Sequence, residues 1–181
     1  MRRRRWRRDH SRSSDSDVVS TVIAFHGGYL TPAAMRRDMG NPSWVDHYLD
    51  NDSPEVVANV LRQLDSVTLV GYSIGGSLIG YLSHLLDNIR AAVLYESPLI
   101  GLEAPAGAFP VLWIRNRYES TPRREKEFAS TKEAWKQNHL VTEITGRGRH
   151  ITWLWGWPPF GHAWDTSLND WIANWIELQN D

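Results

Sequence analysis

A serine stands between two glycines in Gly71-Tyr72-Ser73-Ile74-Gly75, after the apolar run Val67-Thr68-Leu69-Val70 and before residues at helical spacing. Strand, sharp turn and helix in that order are the setting in which a serine hydroxyl projects from the carboxyl edge of a sheet as a nucleophile. The glycines are needed because side chains in so tight a turn would strike the neighbouring strand and helix. Ser73 is therefore the candidate nucleophile. Upstream, Val18 to Phe25 reads as a buried strand that runs into His26-Gly27-Gly28. Glycine there lets backbone amides approach a substrate oxygen. Acyl transfer develops negative charge on that oxygen, and one fixed donor is worth about 3 kcal/mol in the transition state. The candidate donors are the amides of Gly28 and Ile74, the latter at a helix N-terminus whose dipole favours an anion.

Two such motifs at two strand ends, in this order, resemble those of the α/β-hydrolase superfamily. The resemblance covers roughly residues 18 to 178 as an order of elements and is specific at three short motifs. The third is Phe160-Gly161-His162-Ala163-Trp164, which is similar to the late Gly-His loop of polyhydroxyalkanoate-depolymerase-like and related esterases. In this superfamily the triad runs serine, acid, histidine along the chain. The resemblance thus implies His162 as general base, with His150 of Gly148-Arg149-His150 as the alternative. His150 lies inside the alternating stretch Val141 to Trp155, which reads as a hairpin turning at Gly146-Arg147-Gly148. For the acid it implies Glu119, in the loop after the strand Pro110 to Asn116. Glu96 is the alternative, at the end of the preceding strand, where some lipases place theirs. Glutamate at either place departs from the commoner aspartate.

The activity implied is that of a serine esterase, a carboxylic ester hydrolase working through an acyl-enzyme on a small-molecule ester. Thioesterase and amidase chemistry belong to the same mechanistic class. Since the superfamily has non-catalytic members, the alternative is an interaction module on the same fold that contacts an acidic partner through its arginine arm. No metal or organic cofactor is required by this chemistry. The seven histidines show no zinc-ligand spacing such as His-Glu-x-x-His. His26 reads as a brace for the oxyanion loop, and His47 and His84 as surface or helix-face residues.

The elements that must hold these residues alternate. Thr31-Pro32 starts a short helix ending near Gly40, and Trp44 to Leu49 is a weak strand candidate. Ser53-Pro54-Glu55 combines a capping serine, proline at the first helical position and an acid in the first turn. Val56, Val57, Val60, Leu61 and Leu64 then mark one apolar face. After the strand Ser66 to Val70, Ile74, Leu78, Leu82, Leu85 and Leu86 continue as a helix, with Gly76 and Gly80 letting it lie close to the sheet. Ile89 to Tyr95 and Val111 to Ile114 are the next strands, and Arg123 to Asn138 is a polar helix carrying Phe128 and Trp135. Leu168, Trp171, Ile172, Trp175 and Ile176 repeat at helical spacing after the caps Asp165 and Thr166. Alternating strands and helices predict a mostly parallel sheet covered on both faces. The fold class expected is α/β, a minimal α/β-hydrolase of about five to six strands.

The interval of 47 residues from His26 to Ser73 is short for the superfamily, and the first two of the usual eight strands have no counterpart. Between Glu96 and Val111, where many lipases insert a helical cap, only a loop with Gly101, Pro105, Gly107 and Pro110 remains. An uncapped, shallow site is expected. The chain has ten tryptophans, of which Trp153, Trp155, Trp157 and Trp164 surround His162, either as a substrate-binding surface or as core and loop packing.

With 181 residues, 41% of them hydrophobic, the chain suits a single domain over residues 18–181. No apolar run of about 18 residues predicts a membrane span. The absence of cysteine is compatible with a reducing cytoplasm, which is the expected location. The formal charge of −1 hides an asymmetry, because residues 1 to 17 hold seven arginines and three aspartates. This serine-rich tail has no apolar periodicity and reads as disordered and solvated, or as an upstream extension of the start, rather than as a contact for nucleic acid or an anionic surface. The paired arginines lack the hydrophobic segment of a twin-arginine export signal.

Overall fold

In a computed structural model, residues 19–28, 31–99, 104–116, 122–146 and 164–180 are described. Six parallel strands form one sheet: β1 (Thr21–Phe25), β2 (His47–Leu49), β3 (Val67–Tyr72), β4 (Ile89–Tyr95), β5 (Val111–Asn116) and β6 (Val141–Gly146). Their order across the sheet is β2-β1-β3-β4-β5-β6. Strands β1, β3 and β4 carry near-continuous apolar runs because a parallel sheet is covered on both faces.

The cover is divided between two layers. Helices α2 (Pro54–Leu61), α3 (Ile74–Leu82) and α4 (Pro122–Lys136) bury Val57, Leu61, Ile79, Leu82, Phe128 and Trp135 on the face that carries Phe25, Leu69, Leu94 and Trp113. Helices α1 (Pro32–Asp38) and α5 (Asn169–Leu178) bury Met35, Ile172, Trp175 and Ile176 on the opposite face, against Ala24, Val70, Val93 and Ile114. The mostly parallel α/β architecture read from the sequence is the one observed.

The caps behave as their residue types dictate. Thr31 accepts from the Ala34 amide at 3.2 Å and Ser53 from the Val56 amide at 3.4 Å, each with proline at the start of the helix that follows. Several boundaries and faces differ from expectation. Strand β1 starts at Thr21: Val19 is exposed, and the Ser20 hydroxyl turns to Thr68 Oγ1 and Asn180 Oδ1, both at 2.8 Å. Val56 and Val60 of α2 are exposed, whereas Val57, Ala58 and Leu61 are buried. A one-residue step rotates the helix about 100°, so Val57 and Leu61 face the sheet and Val56 and Val60 lie on the flank. Trp171 stands beside Ile172 on α5 in the same way and is exposed. Helix α3 stops at Leu82 rather than Leu86, and the Ser83 hydroxyl donates back to the Gly80 carbonyl at 2.6 Å.

Strand β6 pairs in parallel with β5 from Val111↔Val141 to Asn116↔Gly146, so the first half of the stretch expected as a hairpin is a sheet strand. Among the described residues between Tyr95 and Val111 there is no helix. Among the described residues, too, no helix is long and apolar enough to cross a membrane.

Candidate active site

Strand β3 delivers Ser73 to the carboxyl edge of the sheet, between β1 and β4. The Ser73 amide donates to the Tyr95 carbonyl at 2.9 Å, so β3 remains tied to β4 up to the turn. Ser73 itself adopts φ 52° and ψ −118°, a backbone conformation that residues with a Cβ rarely hold, and it is the N-cap of α3 without making a side-chain capping bond. The hydroxyl is therefore not spent on the helix it precedes.

Only glycine fits on either side of this serine. A Cβ on Gly71 would come within 2.6 Å of the Gly76 nitrogen, and one on Gly75 would collide with the Phe25 carbonyl oxygen. The first turn of α3 thus lies directly on the ends of β3 and β1. The loop after β1 closes over the same turn: a Cβ on Gly27 would be 3.3 Å from Ser73 Cβ, and one on Gly28 would be 3.7 Å from Ile74 Cγ2. Gly28, Ser73 and Ile74 are brought together, with Gly28 and Ile74 exposed and Ser73 half-buried.

The loop after β1 is braced from behind. His26 is buried, with Nδ1 2.7 Å from the Gly27 carbonyl and Nε2 3.4 Å from Asp50 Oδ1. The Asn51 side chain donates to the His26 carbonyl at 2.7 Å. Asp50 and Asn51 carried no signal in the sequence, since their contact with the loop depends on β2 lying beside β1. His47 and His84 are exposed.

On the other side of Ser73, β4 ends at Tyr95 and the next residue, Glu96, is fully buried with φ 48°. Its Oε1 accepts the backbone amide of Asn116, the last residue of β5. Two consecutive strand ends, at Ser73 and Glu96, therefore carry positive-φ, non-glycine residues at one edge of the sheet. The hydroxyl of Ser97 donates to the Gly71 carbonyl at 2.9 Å and tightens the same corner.

Tyr95, the last residue of β4, is also fully buried. Its hydroxyl donates to Asn116 Oδ1 at 2.7 Å and accepts from the Asp165 amide at 2.8 Å, while its ring stacks on Trp164 at 4.3 Å. Burial pushes its hydroxyl far above the ordinary tyrosine range, so it stays protonated at any working pH. Trp164, from the tryptophan cluster, is a packed residue. Its indole donates to Asn169 Oδ1 at 2.8 Å.

Glu119, His150 and His162 lie outside the described residues, as do Trp153, Trp155, Trp157 and the arginine-rich tail. Among the described residues no three His, Asp or Glu side chains gather as metal ligands would.

No family model and no curated protein matches the sequence. Solved structures do. A phospholipase/carboxylesterase from Dyadobacter fermentans superposes with a TM-score of 0.61 at 13% identity, over 88% of this chain and 90% of that one. A lipase-esterase related protein from Clostridium acetobutylicum gives 0.55 at 12% identity, over 88% and 93% of the two chains. The Bacillus cereus carboxylesterase gives 0.54 at 13% identity, over 88% of each. All-parallel sheet, elbow after the third strand and these likenesses agree on one assignment: the chain has the α/β-hydrolase fold.

Proposed function

We propose that this protein is a serine esterase that hydrolyses small carboxylic esters through a Ser73 acyl-enzyme. The observation that carries the reading is Ser73 itself. A residue with a Cβ holds a strained conformation at the strand-to-helix turn, its hydroxyl makes no capping bond, and glycine is enforced at Gly71 and Gly75 around it. Such strain persists where the surroundings over-determine it, typically at sites of chemistry. The esterases among the structural neighbours support the same class.

In this reading His162 removes the proton from Ser73 Oγ as the oxygen attacks the acyl carbon, then returns it to the leaving alkoxide. The amides of Gly28 and Ile74 receive the oxyanion. Water, deprotonated by the same histidine, attacks the acyl-enzyme and releases the acid. His162 is preferred to His150 because Trp164 follows it by two residues and stacks on Tyr95, beside the elbow.

For the acid, burial and bonding support Glu96, while Glu119 lies outside the described residues. A fully buried carboxylate needs hydrogen bonds or a charge partner, and Glu96 receives the Asn116 amide at the strand end next to Ser73. It would orient the imidazole and stabilise its cation. The test is hydrolysis of p-nitrophenyl esters from acetate to decanoate by the wild type and by Ser73→Ala, His162→Ala, His150→Ala, Glu96→Gln and Glu119→Gln. The reading expects Ser73→Ala and His162→Ala to abolish turnover and Glu96→Gln to reduce kcat by about a thousandfold or more, with Glu119→Gln and His150→Ala near wild type. Turnover that survives Ser73→Ala removes the proposal.

A further inference from the structure

We propose that the Tyr95 hydroxyl and Asn116 are positioning residues for this site, joining the strand ends that hold Glu96 to the segment that follows His162. The inference rests on the serine-esterase reading and names what keeps its parts in register.

A tyrosine in a central strand, fully buried, gains as much from its ring as phenylalanine would, so the hydroxyl needs a separate reason. Among the described residues it has partners of two different origins. Toward β5 it donates to the Asn116 side chain, and Asn116 uses its backbone amide to hold Glu96 Oε1. Toward the C-terminal segment it accepts from the Asp165 amide, and the ring beneath it stacks on Trp164 with an interplanar angle of 22°. One oxygen thus links the end of β4, the end of β5 and the chain just after the candidate base.

A third strand end reaches the same place. A Cβ on Gly146, the last residue of β6, would lie 2.5 Å from Asn116 Oδ1 and 3.1 Å from the Tyr95 hydroxyl. Glycine there has a steric cause, since any side chain would displace the pair. Because its hydroxyl stays protonated, Tyr95 serves as a fixed donor and not as a proton carrier. In this scheme its role is positional: it acts by where it holds Glu96 and residues 164–165.

The test uses the full-length chain and p-nitrophenyl butyrate. Tyr95→Phe removes the oxygen and keeps the stacked ring; Gly146→Ala inserts a methyl into the same contact and removes no polar atom. Tyr81→Phe, at an exposed tyrosine, is the control. Misplacement of catalytic groups by up to about 1 Å lowers rates by up to about a hundredfold, so both variants should lose about tenfold to a hundredfold in kcat with KM within about twofold. A carboxylate held less well beside the imidazole also supports its charge less. The acid-side midpoint of the kcat/KM profile should therefore move to lower pH in both variants.

Fluorophosphonate titration of Ser73 supplies the active fraction. Either of two results overturns the positioning role: wild-type kcat and pH midpoint in both variants, or a loss of kcat that the titrated active fraction accounts for in full with the midpoint unmoved. Should Tyr95→Phe fail to fold, Gly146→Ala alone decides between these outcomes. A wild type that fluorophosphonate does not label overturns the esterase reading and this inference with it. Normal labelling with unaffected variants overturns this inference alone.

Discussion

Replacing Ser73 by glycine should make the protein more stable while removing its activity. At φ 52° and ψ −118° the backbone lies well outside the small left-handed region near φ +57° and ψ +47°, so Ser73 belongs at the upper end of the range for strained residues, about 2–3 kcal/mol. Glycine relieves the Cβ contribution but gives the unfolded chain more freedom, which offsets about 0.5–1 kcal/mol. The net gain is about 1–2.5 kcal/mol. For a chain of this length each kcal/mol moves the melting temperature by about 2–4 °C, which predicts a rise of about 2–10 °C. Ser73→Ala is the decisive comparison, since it removes the hydroxyl and keeps Cβ. With no capping bond to lose, its melting temperature should stay close to that of the wild type. Thermal unfolding followed by tryptophan fluorescence on the three proteins reads the difference directly. If Ser73→Gly melts no higher than Ser73→Ala, the turn is not strained and the argument from strain to chemistry fails.

Two further predictions concern the scaffold. His139 is buried against Phe109 and Trp135, and burial holds its pKa below the usual 6.5 despite bonds to the Phe109 and Pro105 carbonyls. Between that lowered value and 6.5 the unfolded chain binds more protons, so stability should fall as pH drops below about 6.5; denaturant melts at pH 7.5 and 5.5 should show a smaller difference in His139→Gln than in the wild type, and an equal difference would contradict the assignment. On α2, Val56→Lys and Val60→Lys should change stability by no more than about 0.5 kcal/mol, whereas Leu61→Ala should lose about 2–5 kcal/mol; urea melts that rank them the other way would refute the helix orientation.

What was legible in the sequence was whatever depends on short-range pattern. The elbow could be read because its strand, its two glycines and its serine fall within nine residues. Proline and serine at Ser53-Pro54 announced α2 because capping is local chemistry. The buried face of α2 was misread because five apolar residues in nine span more than one face, and only the position of β3 and α3 selects Val57 and Leu61. Leucine spacing continues to Leu86, whereas helix α3 ends at Leu82, where the Ser83 hydroxyl donates to the Gly80 carbonyl. Ser73, Gly28 and Ile74 are candidates on motifs alone, and the structure brings them together. Glu96 ranked second for the acid because its burial and its bond to Asn116 come from β4 lying beside β5. Tyr95 and Gly146 were invisible as functional candidates, since a tyrosine in an apolar strand reads as core until its hydroxyl's partners, distant in sequence, are known.

Whether Ser73 is an activated nucleophile is read from the intact mass of the full-length protein after incubation with a fluorophosphonate, followed by peptide mapping. An activated Ser73 gives one adduct per chain, located on Ser73 and absent from Ser73→Ala. No adduct on folded wild-type protein, or one that persists in Ser73→Ala, would contradict it.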